Sequence, residues 1–599
     1  MSFHWDPREQ VRTGRFLLKW TVLASLVGVL AGAASAVFLL ALSWATATRT
    51  ATPWLLYLLP VGGLLIGVFY HYWGKECEGG NNLLLEEIHK PGAGVPGKMG
   101  PTILLATVAT HLFGGSAGRE GTAVQMGGGL AAWLGRLLSL DRPHTRILLM
   151  AGISAGFGSV FGTPLAGMVF GLEVLAVGRL RYDALIPCLV GSVVGDWTCS
   201  GVCSLWGVHH THYVVQGMPD VDVWLVLKVL LASLAFALAS VLFAELTAGL
   251  HRLFKKCIPW APGRPLVGGL IVIGLTWLAG TRDYLGLGVP IIVQSFHPEG
   301  VAAWAFLWKL VFTAVTLGSG FKGGEVTPLF FIGAALGCTL GFVLGVPPGF
   351  MAALGFVAVF AGAANTPLAC TVMGIELFGA RYGVFLGIAC CTCYIWSGHR
   401  GIYLSQRLDT PKTDDPDVAV EATLGHVRRA QEPLVLNLYP FARFGRRLLG
   451  RPMKPLSKHG ESGMKQEARI EVHKLGLVRI YMRNHDRRPG GTWIKRTFGR
   501  PLYQELIDQA REMGLMSATA KATYYGFTNH GESTTTFHPD TGFQDVNIYV
   551  ELVAPREMLE AFLAHAAGMV ADRVVLFDEV EHWAPAQHHA VSESDAAAA

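Results

Sequence analysis

The chain has 599 residues, of which 48 are Lys or Arg and 43 are Asp or Glu, so 15% carry a charge, against about 25% in an ordinary soluble protein. The charges divide unevenly, with 42 among residues 1–400 and 49 among residues 401–599. A net charge of +5 over this length gives no argument for a nucleic-acid partner, and the sparse, apolar first part excludes a water-soluble or disordered chain there.

In chain order, apolar runs at 16–47, 54–73 and 147–177 reach or exceed the ~20 residues that span a bilayer. Arg8, Arg12, Arg15 and Lys19 precede the first run, and Arg443, Arg446, Arg447, Arg451 and Lys454 follow the last apolar segment. By the positive-inside rule this predicts both termini in the cytoplasm and an even number of crossings. The first run is too long for a secretory h-region and no small-residue cleavage site stands out after it, so it reads as a retained helix.

Further apolar segments lie at 102–112, 184–206, 223–243, 266–279, 301–317, 329–346, 350–378 and 382–396. Several are too short to cross alone and others are broken by Gly or Pro, the pattern of helices that stop inside the membrane and line a cavity. The 73 glycines suit helices that associate by close backbone contact in lipid. All ten cysteines lie between Cys77 and Cys393, which argues against a disulfide framework. Cys390, Cys391 and Cys393 have no His or carboxylate beside them and read as small apolar residues rather than a metal or redox site. No cofactor is expected.

An internal repeat explains the segmentation. Residues 163–173 read TPLAGMVFGLE and residues 366–376 read TPLACTVMGIE, identical at seven of eleven positions. The same offset carries Gly115-Ser116 onto Gly318-Ser319. Two motifs in register indicate duplicated halves, about 15–215 and 220–408, and such halves place a substrate site between them at the bilayer midplane.

After Tyr403 the composition turns polar. Residues 409–467 read as a linker that partly touches the membrane surface. A compact domain follows at 468–583, with predicted strands at 478–482, 518–528, 546–553 and 573–580 and predicted helices at 501–513 and 556–570. That β-α-β-β-α-β order is the ferredoxin-like pattern. The tail at 584–599 reads as disordered. His530 and His538 read as solvated loop residues rather than metal ligands.

Three glycine turns are candidate sites. In Glu78-Gly79-Gly80-Asn81-Asn82-Leu83, the Asn81 and Asn82 amides can donate to a small anion without adding charge, though Asn after Gly-Gly is also an ordinary turn. In Gly118-Arg119-Glu120-Gly121-Thr122, a helix starting at the turn aims free N–H groups at an anion, whose place the flexible Glu120 carboxylate can take. The structural alternative is a capping Glu120 paired with Arg119. In Lys322-Gly323-Gly324-Glu325-Val326-Thr327-Pro328, a second carboxylate precedes an apolar helix, with Pro328 suited to a helix start. Here the alternatives are an ion pair of Glu325 with Lys322 or simple capping by Thr327. A carboxylate at membrane depth is costly and usually functional, so two of them suggest a relay in which protonation lets an anion enter or leave.

These residues resemble the CLC family of chloride channels and anion/proton exchangers over residues 15–408, most specifically in GREG at 118–121 with its glycine approach and in the paired TPLA segments. The resemblance implies an all-α polytopic membrane protein with two inverted repeats, a homodimer with a pore in each subunit, and an anion site at converging helix N-termini. Within it, GNNLL at 80–84, GREGT at 118–122 and GGEVTP at 323–328, with Val174 where chloride exchangers carry a proton-transfer glutamate, resemble the fluoride/proton antiporter branch. This implies that Glu120 is the gating and proton-carrying carboxylate and that Glu325 substitutes for the missing proton route. It further implies that Asn81, Gly118, Arg119, Gly121, Val326 and Thr327 contact the anion path, and that Tyr403 is the inner-gate tyrosine; a tyrosine near a helix end is otherwise an interface residue.

The second domain is similar to a small bacterial PII-like domain of uncertain function, on Arg479-Ile480-Tyr481, Arg500-Pro501-Leu502-Tyr503 and Tyr525-Gly526-Phe527. That resemblance implies a possible small-molecule ligand near residues 528–541 and a trimer, which conflicts with a dimeric membrane part. The expected function is fluoride export across the bacterial inner membrane in exchange for protons. The alternatives are an uncoupled chloride or fluoride channel, or a membrane anion sensor signalling through the second domain. No nucleophile and base with usable spacing points to an enzyme.

Overall fold

The computed structural model describes residues 7–90, 94–211, 213–215, 217, 219–413, 422–430, 470–483, 486, 501–522, 525–527, 533–535, 547–571 and 573–585. His530, His538, the basic cluster at 443–454 and residues 586–599 of the tail lie outside them. The chain forms two compact units, Met1–Leu137 with Arg142–Leu438, and Leu138–Asp141 with Tyr439–Ala599.

The first unit is helical. Its first half contributes α1 (Pro7–Ala51), α2 (Leu59–Phe69), α3 (Asn81–His89), α4 (Met99–Leu112), α5 (Glu120–Leu137), α6 (Arg142–Phe161), α7 (Pro164–Glu173) and α8 (Leu185–Ser204). Its second half contributes α9 (Val223–Cys257), α10 (Gly263–Ala279), α11 (Val289–Gln294), α12 (Ala305–Gly318), α13 (Val326–Leu344), α14 (Pro348–Ala364), α15 (Pro367–Phe378) and α16 (Gly383–Trp396). Gln10–Ala51, Pro53–His89, Tyr182–Ser204, Val223–Cys257 and Val326–Leu344 are long and apolar enough to cross a membrane, whereas α4, α7, α10, α12, α14 and α15 are short apolar helices.

The duplication read from the sequence governs the packing. A Cβ on Gly127 of α5 would lie 2.2 Å from the Gly152 carbonyl oxygen of α6, and a Cβ on Gly333 of α13 would lie 2.0 Å from the Gly355 oxygen of α14. Both pairs touch through bare backbone, which only glycine permits in lipid. The TPLA helices cross-cap each other. Glu173, at the end of α7, accepts from Leu368 N at 3.0 Å and Ala369 N at 2.8 Å, while Glu376, near the end of α15, accepts from Leu165 N at 2.9 Å and Ala166 N at 2.7 Å. Each carboxylate therefore satisfies the free N–H groups of the other half's helix and sits at its positive dipole end. C-terminal glutamates that reach each other's N-termini make α7 and α15 antiparallel, as inverted repeats require.

Glu173 is the more buried of the two, at 7% exposure. Glu173→Ala is expected to leave two N–H groups of α15 unpaired and to cost about 2–4 kcal/mol, with Glu376→Ala costing less. Thermal unfolding of the detergent-solubilised protein checks the order; equal, negligible shifts in both variants would refute it.

After α16 the chain stays against this unit. β1 (Ala176–Val177) pairs in parallel with β2 (Arg407–Leu408), the Lys412 ammonium donates to Tyr394 O at 2.7 Å and Ser397 Oγ at 3.0 Å, and α17 (Leu424–Ala430) ties to α9 through Arg428 and Glu245 at 2.9 Å.

The second unit is a four-stranded antiparallel sheet of β3 (Ile470–Arg483), β4 (Ser517–Ala522), β7 (Asn547–Ala554) and β8 (Val574–Pro585) in the order β4-β7-β3-β8, beside a hairpin of β5 (Tyr525–Phe527) and β6 (Ser533–Thr535). That spatial order with helices Leu502–Glu512 and Arg556–His565 between strands is ferredoxin-like. The predicted strand at 518–528 divides, because its second part pairs with β6 instead of β7. Alternate residues Val478, Ile480 and Met482 of β3 and Val550 and Leu552 of β7 form the core with Leu506, Leu559 and Phe562.

On the other side of this sheet, Glu551 meets Lys521 at 2.7 Å and Arg479 at 3.0 Å, and these hydrogen-bonded cations, Lys521 foremost, hold its carboxyl below the ordinary glutamate range. A depressed folded-state value contributes stability above the unfolded value and loses it as pH falls through the folded one. The domain's urea midpoint is expected to drop as pH falls below about 4.5, and Glu551→Gln is expected to flatten that drop. An unchanged pH profile in Glu551→Gln would remove the triad as its source.

Candidate functional site

The two glycine turns meet. Gly118 N donates to Gly324 O at 2.6 Å and Gly324 N donates to Gly118 O at 2.8 Å, a two-residue antiparallel bridge between the halves. It sets the start of α5 beside the start of α13. Glu120 opens α5 and is fully buried, yet its carboxylate turns away from its own helix. Oε2 accepts from Thr327 N at 3.0 Å, from Thr327 Oγ1 at 2.5 Å and from Arg119 N at 3.2 Å, while Oε1 meets Arg119 Nε at 3.3 Å.

The carboxylate thus occupies an anion-sized position at the N-terminus of α13, where free N–H groups and the dipole favour negative charge. Glu120 caps the helix of the other half rather than its own and keeps the Arg119 contact that the capping alternative expected. Thr327 is second in α13 and Val326, fully buried, is first. A Cβ on Gly121 would lie 3.2 Å from both Asn81 Nδ2 and Gly324 Cα, so glycine there lets α3 and the α13 turn close around the site.

Glu325 is the N-cap residue of α13, but its side chain makes no capping bond. It faces a cavity of about 180 Å³ that Asn81, Gln125, Lys322 and Tyr403 also line. The ion pair with Lys322 weighed above is absent among the described residues: the Lys322 ammonium stands 4.3 Å over the Tyr70 ring, a cation–π contact that holds it beside Glu78 rather than on Glu325. Tyr403 is buried at 3% exposure, packs edge-on to Phe170 with ring centroids 6.4 Å apart, and borders both the large cavity and a small apolar one beyond Asn81.

Asn81 begins α3, and both asparagines border the cavity; Asn82 Oδ1 also accepts from Ser405 N at 3.0 Å and fastens the Tyr403 segment, which leaves the Asn82 amide N–H groups as donors. The structure therefore brings together Asn81, Gly118, Arg119, Glu120, Gly121, Glu325, Val326, Thr327 and Tyr403 around the junction of the halves, with Asn82 on the wall of the same cavity. Sequence reading missed Gln125, which lies inside the apolar stretch after GREGT and carries no local signal, and Gln406. The buried Gln406 donates to Ala364 O at 2.8 Å and Val174 O at 2.9 Å and so anchors the turn that carries Tyr403. The cross-capping role of Glu173 and Glu376 was detectable in principle, since both repeat motifs end in glutamate. No group of three or more His, Cys, Asp or Glu suited to a metal occurs among the described residues.

An anion site shared by two inverted halves is the architecture of a membrane ion transporter or channel, and comparison places the chain within one such family. The voltage gated chloride channel family matches residues 62–398, and the chain belongs to this CLC family of anion-transport proteins. A chloride/fluoride channel protein of Pseudomonas syringae pv. tomato is 52% identical over 414 residues, covering 68% of this chain and 90% of that protein. An H(+)/Cl(−) exchange transporter, ClcA, of Cronobacter sakazakii is 25% identical over 387 residues, 59% of this chain and 81% of the relative. Among solved structures, a CLC-type fluoride/proton antiporter superposes with a TM-score of 0.63 at 34% identity, covering 65% of this chain and 98% of the other. Residues 476–582 match a family described as Uncharacterized ACR, in line with the PII-like resemblance.

Proposed function

We propose that the chain is a fluoride/proton antiporter that exports fluoride from a bacterial cytoplasm. The observation that carries the reading is the Glu120 carboxylate seated on the N–H and hydroxyl of Thr327. As an anion, Glu120 competes with fluoride for those donors. Once protonated it loses its charge and most of its acceptor strength, so fluoride takes the Thr327 position. Glu325, two residues before Thr327 and open to the cavity, exchanges protons through water with the same helix start. Asn81 and Thr327 offer neutral N–H and O–H donors, which suit a small, strongly hydrogen-bonding anion. The relatives named for fluoride support the choice of ion.

Paired fluoride-electrode and pH recording on liposomes tests this. A fluoride gradient is expected to drive protons uphill, and rapid chloride movement without fluoride movement would sink the proposal. An uncoupled channel is the second reading, favoured by the likeness to the Pseudomonas protein, and it predicts fluoride flux with no uphill protons. The proposed assembly is a homodimer in the bacterial inner membrane with both termini cytoplasmic. Residues 409–467 would join the transport part, 1–408, to the domain at 468–583, which offers a site for a small-molecule ligand. Full fluoride resistance after deletion of 460–599 would count against a sensor role for that domain.

A further inference from the structure

The cavity beside Glu325 holds a group that the exchange just described does not use. Gln125 lies on α5 with 7% of its surface exposed, and its amide makes no hydrogen bond among the described residues. It lines the cavity and presses on the Gly80 turn, where a Cβ would lie 3.3 Å from Gln125 Nε2 and 3.5 Å from Oε1. Gly80 has φ 54° and ψ −132°, a region open to glycine, and the missing side chain leaves the Gln125 amide uncrowded. The amide opens onto the cavity, so its donors and acceptor are free for water or an ion there.

Two neighbours point to what fills them. Asn81 Oδ1 is also buried and unpaired, and a half-turn of that amide exchanges it with Nδ2. Lys322, held over Tyr70 at 4.3 Å, forms no ion pair among the described residues and supplies positive charge to the same cavity. Two amides and an ammonium line this space together with the Glu78 and Glu325 carboxylates, and it is large enough for an anion with some of its water when Glu325 is protonated. We propose that Gln125 is a selectivity-determining contact, donating its amide N–H to partly hydrated fluoride between Asn81 and Lys322 before the ion reaches Thr327. A strong acceptor needs this replacement for lost water far more than chloride does.

The inference rests on the anion-transport reading of the same site but not on proton coupling. Its test uses the full-length protein in liposomes, with fluoride and chloride efflux read by ion electrodes, and sodium fluoride titrated calorimetrically into the solubilised protein. Gln125→Met keeps the length and removes the donors. It is expected to lower the fluoride-over-chloride ratio and the fluoride affinity by about 10-fold, the scale of one hydrogen bond to a charge, while protons moved per fluoride stay unchanged. If Gln125→Met does not fold, Gln125→Glu keeps the shape and replaces the donor by an anion, and it is expected to lower the ratio at least as much. A wild-type ratio and affinity in whichever variant folds overturns the proposal. Absence of uphill proton movement in the unaltered protein sinks the antiporter reading alone and leaves the Gln125 ratio readable.

Discussion

Glu120→Gln is expected to reduce fluoride-driven proton movement to background, a loss of at least about 10-fold, in the same liposomes that show uphill pumping with the unaltered protein. The amide is close in shape to the carboxylate and can still accept from Thr327 N and Oγ1, so the turn between Gly118 and Gly121 has no steric reason to move. What disappears is the titration. A carboxylate alternates between an anion that holds the Thr327 donors and a neutral acid that releases them, and an amide has only the neutral form. A conservative variant therefore separates proton carriage from packing. Normal proton movement in Glu120→Gln would remove Glu120 from the proton path, while loss of folded protein would be visible in gel filtration before any transport is measured.

Glu325 lets the comparison go further. Glu120 is fully buried with four polar contacts within 3.3 Å, whereas Glu325 faces a polar cavity and makes no side-chain cap. The two carboxylates thus differ in what they exchange with. In the proposed antiport, Glu120 would exchange with an anion for protein donors, and Glu325 would exchange with water. Arg119 adds a cation to the first site alone.

How much of this was legible in the sequence depended on range. The repeat, the short broken helices and the glycine turns are local signals, and they predicted two related halves with carboxylates at helix starts. The ferredoxin-like order was legible for the same reason, since period-2 alternation in β3 and β7 belongs to each strand alone. Contacts between halves were not legible. Thr327 was read as a donor near Glu325, but its hydroxyl serves Glu120, some two hundred residues earlier in the chain. Glu173 and Glu376 stand at the ends of their repeat motifs with no local sign of a partner, and each caps the other's helix. An ion pair of Lys322 with Glu325, three residues apart, was one of two alternatives the local spacing allowed, and Tyr70 takes the ammonium instead. In each case a residue type announced its chemistry, and a distant segment chose its partner.

Gly324→Ala is expected to have a large structural effect for a single added methyl. An alanine Cβ would stand 2.9 Å from Gly121 N, 3.1 Å from Gly118 C and 3.2 Å from Arg119 N. All three are backbone atoms of a buried turn, with no rotamer to swing aside. The methyl must push the two turns apart, weakening the reciprocal bonds between Gly118 and Gly324 at 2.6 and 2.8 Å. Those bonds are worth about 1 kcal/mol each, and overpacking adds about 1–3 kcal/mol. Function should suffer more than stability, because the same movement draws Glu120 from Thr327 and widens the gap that an anion must bridge. A misplacement of about 1 Å at such a site is enough for a 100-fold loss, and a fall of that order in fluoride turnover is expected. Gly274→Ala on α10, where a Cβ meets nothing within 4 Å, serves as the control and is expected to transport normally. Equal turnover in the two variants would mean that the bridge between the halves does not set the geometry of the anion site.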